Sequence, residues 1–176
     1  MERQQGATHN DEAVLARTVA AVMRTAVPTI AVDETVLVAW ELLERSGSRH
    51  LPVVHKDGRC AGLLDRADVA VACAAPATSL TGLRVANLLP GRRSALVHAE
   101  ETVHHAADLM SYTEVDALPV LQEDGQLAGV LTAADIVAAL VGRPAQREPT
   151  EMGQQAPSTV LPGLAPCRGY RGAAVP

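Results

Sequence analysis

The chain has 176 residues, 48% of them hydrophobic, a net charge of −5 and only 2% aromatic residues. That length has room for one ordinary domain, and its core must be aliphatic, because there is no Phe and the aromatics are Trp40, Tyr112 and Tyr170. An acidic balance, scattered basic residues and the lack of base-stacking side chains argue against a nucleic-acid or anionic-membrane surface.

Residues 1–10 are polar and read as disordered. Asp11 is placed to cap a helix carrying Val14, Leu15, Val19, Val22 and Met23, which ends before Pro28. Thr29-Ile30-Ala31-Val32 reads as a short strand. Asp33-Glu34-Thr35 then introduces a helix with Val36, Ala39, Trp40 and Leu43 at helical spacing, closed by Ser46-Gly47-Ser48. Leu51 to Val54 and Cys60 to Leu64 are apolar runs joined across Lys56-Asp57-Gly58, a hairpin signal. Asp65 opens another helix to about Cys73, and Thr78 to Gly82 is a linker.

The same order then returns: strand Ala95-Leu96-Val97, a helix with Val103, Ala106, Ala107 and Met110, strand Leu118 to Leu121, turn Asp124-Gly125, strand Leu127 to Leu131, and a helix from Thr132 to about Leu140. Gly62 and Gly129 stand 67 residues apart (129 − 62), as do Thr35 and Thr102, Pro52 and Pro119, Gly58 and Gly125, and Asp68 and Asp135. Two copies at that period are too few and too long for a solenoid, so the chain reads as one unit of two similar halves, each β-α-β-β-α. The expected division is a first repeat over 11–77, a second over 78–142, and a tail over 143–176 whose composition is that of a disordered segment.

Cys60, Cys73 and Cys167 form no C-x-x-C pair and read as reduced packing thiols. His104 and His105 are adjacent and point to different faces of a helix, and His98 stands outside any ligand spacing, so no metal site is expected. Nor is there a phosphate-binding Gly-Lys loop or a nucleophile elbow, and no catalytic residue is assigned. The polar start from Met1 to Asp11 lacks a signal-peptide apolar run, and no run reaches the ~18 residues of a membrane span, so a cytoplasmic location is expected.

The ordered set of strand, Thr-Val helix start, Leu-Pro-Val strand, Asp-Gly hairpin and Gly-apolar-apolar-Thr-x-x-Asp ending, seen twice over about three quarters of the chain with Asp65 in place of the Thr in the first copy, resembles the paired CBS domain, named after cystathionine β-synthase. The resemblance implies an α+β fold, a tandem pair with pseudo-two-fold symmetry whose small sheets pack together and are flanked by helices. It also implies two clefts for adenosyl compounds such as AMP, ADP, ATP or S-adenosylmethionine, and a non-catalytic regulatory role that signals to a partner protein in trans. An interaction or scaffold protein with degenerate clefts is the alternative.

In such a pair Thr132 and Asp135 would hold the ligand ribose, although Thr132-x-x-Asp135 is also a helix capping box. Their cleft would be completed by Thr25, Val27 and the turn Ser48-Arg49-His50 before Leu51 and Pro52, with Arg49 or His50 facing phosphate. The other cleft would be served by Asp68 with Arg93, Ser94, Asp116 and Ala117. There Asp65 stands where Thr or Ser is expected, adding a second carboxylate that disfavours phosphate unless Arg66, Arg92 or Arg93 compensates, so this cleft is ranked the weaker. A homodimer is also expected, because Val36, Ala39, Trp40, Val103, Ala106 and Met110 give the Thr35 and Thr102 helices more apolar surface than a small half-sheet covers.

Overall fold

The computed structural model describes residues 11–74, 82–89 and 95–143. The expected disordered start, all but the last residue of the linker, Arg92, Arg93, Ser94 and almost all of the tail lie outside them. From Ile30 onward the described residues form ten strands and α-helices in the predicted order. The first half holds β1 (Ile30–Ala31), α1 (Val36–Ser46), β2 (His50–Val54), β3 (Cys60–Asp65) and α2 (Arg66–Cys73). The second holds β4 (Val97–His98), α3 (Val103–Thr113), β5 (Ala117–Leu121), β6 (Leu127–Thr132) and α4 (Ala133–Leu140).

Each half builds a three-stranded sheet, in the orders β1-β2-β3 and β4-β5-β6. The first two strands run parallel and the last two antiparallel, with Pro52 opposite Leu63 and Pro119 opposite Val130. A proline is tolerated inside β2 because β1 pairs only with Val53 and Val54 and stops short of its ring; β4 stops short of Pro119 in the same way. Thr35 and Thr102 cap α1 and α3 by accepting the N–H of Val38 and His105. At the hairpin tips Gly58 and Gly125 take φ of +84° and +82°, where a side chain would be strained. The tips also meet each other: the Cys60 N–H donates to the Gly125 carbonyl and the Leu127 N–H to that of Gly58.

The cores do not follow the repeat boundary. Leu43, Leu51, Val53, Leu64 and Val69 of the first half close over Val85, which lies in a 3-10 turn at Val85–Asn87. Val97, Val103, Leu118, Val120 and Leu131 of the second half close over Val14, Val19 and Val22 from the start of the chain. Backbone bonds fix this exchange, since Val19 and Ala20 donate to the carbonyls of Glu101 and Ala99 while Val85 and Ala86 donate to those of Glu34 and Val32.

Two expectations are corrected here. The helix expected from Asp11 to Met23 is helical only through residue 15 and gives way to a 3-10 turn at Val19–Ala21. The N–H groups of Val19 and Ala20 are used by the second half rather than by the preceding turn, so tertiary pairing overrides the helical pattern while Val14, Val19 and Val22 stay buried. The apolar residues expected to drive dimerisation are spent inside the chain: Val36, Ala39, Val103 and Ala106 are fully buried and Met110 nearly so, while Trp40 is half-buried beneath the Arg66 guanidinium. Their spacing marked a core face. The large exposed apolar residues on those helices are Leu37, Val38 and Tyr112.

Gly129 is where the start of the chain crosses β6. Arg24 and Val130 exchange both backbone hydrogen bonds, at 2.9 and 3.0 Å, and a Cβ on Gly129 would lie 2.2 Å from the Arg24 carbonyl oxygen. Backbone cannot retreat there without breaking the pair. Gly129→Ala should therefore cost about 1–3 kcal/mol and lower the melting temperature by several degrees. Gly82→Ala, whose Cβ meets nothing within 4 Å, should leave it unchanged within about 0.5 kcal/mol; equal losses in the two variants by calorimetry would refute the crossing.

Candidate functional site

At the end of β6 the extended backbone of Thr132 turns into α4 and leaves the first N–H groups of the helix without intrahelical partners. Thr132 Oγ1 accepts the Asp135 N–H at 3.2 Å, and Asp135 Oδ2 accepts the Thr132 N–H at 3.0 Å and its hydroxyl at 2.6 Å. The capping box is thus complete. The remaining oxygen, Asp135 Oδ1, accepts from Arg24 Nε at 2.7 Å. Asp135 is the one buried charged side chain among the described residues, 3% exposed, and both of its oxygens are engaged. Of the residues expected beside it, Thr25 is exposed next to Arg24 and Val27 is half-buried. Pro52 is buried within β2, and the Ser48 N–H donates to Ser46 Oγ.

Arg49 and His50, expected with Asp135, stand instead with the residues of the other cleft. The Arg66 N–H donates to the Arg49 carbonyl, and one period later the Ala133 N–H donates to that of Asp116, so residues 49 and 116 each lie against a helix start. Asp65 caps α2 by accepting the Ala67 N–H at 2.6 Å. Its Oδ2 lies 3.4 Å from both Arg49 Nε and His50 Nε2. Asp116 answers from the second half, with Oδ2 at 2.8 Å from Arg49 Nη1 and Oδ1 at 3.0 Å from His50 Nε2. Two carboxylates, one guanidinium and one imidazole therefore form a single network across the two repeats.

This network borders an open cleft of about 1000 Å³ that Asp68 and Ala117 also line, floored by Leu63, Ala95, Met110 and Pro119. The Asp68 carboxylate is exposed and makes no hydrogen bond or ion pair with the described residues, so its oxygens are open to a ligand. Arg66, a candidate to offset the Asp65 charge, turns away: it donates to the Leu43 carbonyl, pairs with Glu44 and covers Trp40. Arg49 takes that place. Sequence reasoning missed Arg24 and Glu114. Nothing in the sequence shows that residue 24 reaches Val130, but the second omission left a trace, because Glu114 stands one period after Gly47 and shares its positive φ, at 56° against 62°. A glutamate in the left-handed region is uncommon, and this one is on the cleft rim. Burial pushes the Cys60 thiol above its ordinary pKa, which suits an inert packing residue.

A family model for the CBS domain matches residues 19–75 and 87–142. A CBS domain-containing protein of Dictyostelium discoideum is 32% identical over 121 residues, covering 64% of this chain and 83% of that protein. The homoserine O-acetyltransferase of Methanosphaerula palustris is 30% identical over 122 residues, 69% of this chain, but the chain spans only 24% of that enzyme's length. Among solved structures, the CBS domain pair of protein MJ0100 in complex with 5′-methylthioadenosine and S-adenosyl-L-methionine is similar at a TM-score of 0.62 and 22% identity, over 72% of this chain and 98% of that one. CBSX2 in complex with AMP is similar at a TM-score of 0.62 and 25% identity, over 71% of this chain and 96% of that one.

The Arg24–Asp135 pair can be tested by a double-mutant cycle. Arg24→Met leaves a buried carboxylate without its cation and should cost about 1–2 kcal/mol, below the full value for a buried pair because the arginine is 38% exposed. Asp135→Asn keeps most of the cap and should cost about 1 kcal/mol. The double variant should fall short of the sum by about 0.5–1 kcal/mol, and strict additivity in urea unfolding would show that the pair carries no energy.

Proposed function

The chain belongs to the CBS domain family, and from that premise we propose that it is a non-catalytic regulatory module whose inter-repeat cleft takes an adenosyl ligand and reports its occupancy to a partner protein in trans. The cleft shared by Arg49, Asp68, Asp116 and Ala117 carries the reading, because it is open, apolar at its floor and supplied with a free carboxylate. In it Asp68 accepts the ribose hydroxyls and Arg49 meets phosphate or carboxylate. This reverses the ranking drawn from sequence, since Asp135 is committed to Arg24 and Thr132. Support for an adenosyl ligand comes from MJ0100, which holds 5′-methylthioadenosine and S-adenosyl-L-methionine, and from CBSX2, which holds AMP.

The second reading is a dimeric scaffold with degenerate clefts, favoured by the occupied Asp135 and by Asp65 standing where the second repeat has Thr132. Acetyl transfer by the longer relatives does not carry over, because the matched stretch is about a quarter of their length. A cytoplasmic homodimer completes the proposal: among the described residues no helix is long and apolar enough to cross a membrane, and Leu37 and Val38 offer an exposed apolar edge on α1.

A thermal-shift panel of AMP, ADP, ATP and S-adenosylmethionine tests this. A ligand at ~100 times its dissociation constant adds ~2.7 kcal/mol, a shift of several degrees. Asp68→Asn should then weaken binding about tenfold or more, while Asp135→Asn changes it less than about threefold and lowers stability instead. The opposite pattern would move the ligand to the Asp135 cleft, and no shift with any compound would leave the scaffold reading.

A further inference from the structure

We propose that His50, Asp65 and Asp116 bind a divalent transition-metal ion of the zinc class. His50 Nε2 lies 3.0 Å from Asp116 Oδ1 and 3.4 Å from Asp65 Oδ2, and the three donor atoms all fall within 4.8 Å of one another. An ion bonded at about 2.0–2.2 Å to tetrahedral ligands holds those ligands about 3.3–3.6 Å apart, so the two distances from His50 are close to that range and the two carboxylates, within 4.8 Å, have at most about 1.5 Å to close. One imidazole and two carboxylates suit zinc, cobalt or manganese better than the softer ions that thiolates select. Three protein ligands leave the fourth position facing the cleft, open to water or to an anionic ligand.

Comparison of the two repeats supplies an independent argument. One period after Arg49, His50 and Asp65 stand Asp116, Ala117 and Thr132, so the pseudo-symmetric position has no imidazole and no such triad. The set exists on one side only, and it draws two ligands from the first half and one from the second. His50 is held in place by its burial, its side chain being 12% exposed. Arg49, which now spans both carboxylates, is 66% exposed and free to swing into solvent when a cation with two charges takes its place. The site differs from the expectation of no metal because His50 and Asp116 are 66 residues apart and no local ligand spacing joins them. The ion needs no adenosyl ligand, but it lies in the cleft that the nucleotide reading uses and takes the place of Arg49 there.

Titration of the metal-free, reduced full chain with Zn²⁺ by calorimetry should give one site per chain. Asp65→Asn is the cleanest variant, because asparagine caps a helix as well as aspartate and the fold is kept. It should weaken Zn²⁺ at least about tenfold, as should His50→Gln and Asp116→Asn. Arg49→Met, which removes the competing cation, should tighten it several-fold. His104→Ala with His105→Ala, which removes the exposed helical histidines, should leave the affinity unchanged. The proposal is overturned if Asp65→Asn and His50→Gln bind as tightly as the parent, if affinity is lost with the His104 and His105 substitutions, or if Co²⁺ in place of Zn²⁺ gives a thiolate charge-transfer band, which would assign the ion to cysteine.

Discussion

The crossing of Arg24 over Gly129 is the contact on which the rest of the structure depends. With 2.2 Å between the Arg24 carbonyl and a hypothetical Cβ, only glycine admits the strand-like exchange of hydrogen bonds with Val130. That exchange carries Val14, Val19 and Val22 into the second core, and the return of the chain carries Val85 into the first. Each sheet is therefore sealed by a segment from outside its own repeat. The same crossing delivers the Arg24 guanidinium to Asp135, so the anchor of the fold also takes up the one carboxylate oxygen that the helix cap leaves open.

Electrostatics separate the surroundings of Asp135 from those of Asp65 and Asp116. Around Asp135 one buried carboxylate is answered by one arginine, one hydroxyl and one amide, a closed arrangement suited to holding a helix start. Around Asp65 and Asp116 two carboxylates share one exposed arginine and one histidine, leaving negative charge in excess beside Asp68. Such an excess of negative charge favours cations over anions at that place. Burial of His50 against exposure of Arg49 sets which member of the network is fixed and which can move.

Most of the fold was legible because it was written twice. A period of 67 residues identified the Thr caps, the Asp-Gly hairpins and the Leu-Pro-Val strands, each of which depends on neighbours within a few residues. What escaped depends on residues far apart. The helical pattern through Val19 and Val22 was real as burial, but the N–H groups of Val19 and Ala20 go to Glu101 and Ala99, and no local signal records that. The apolar faces of α1 and α3 are hydrophobic as the pattern says, but they are buried within the chain, against their own sheets and the segments carrying Val85 and Val14 to Val22, rather than in a dimer face. At the candidate site, residue types were legible and partners were not: Arg49 was assigned to Asp135, yet it meets Asp65 and Asp116.

The exchange of sealing segments has a consequence for how such a chain can be divided. A polypeptide ending after residue 74 would carry Val14, Val19 and Val22 with no second sheet to receive them, and its own sheet would lack Val85. Two copies of that shorter polypeptide could complete one another only by trading these segments reciprocally. The two-repeat chain is in this sense a covalently closed handshake, and neither hand retains its grip when the other is cut away.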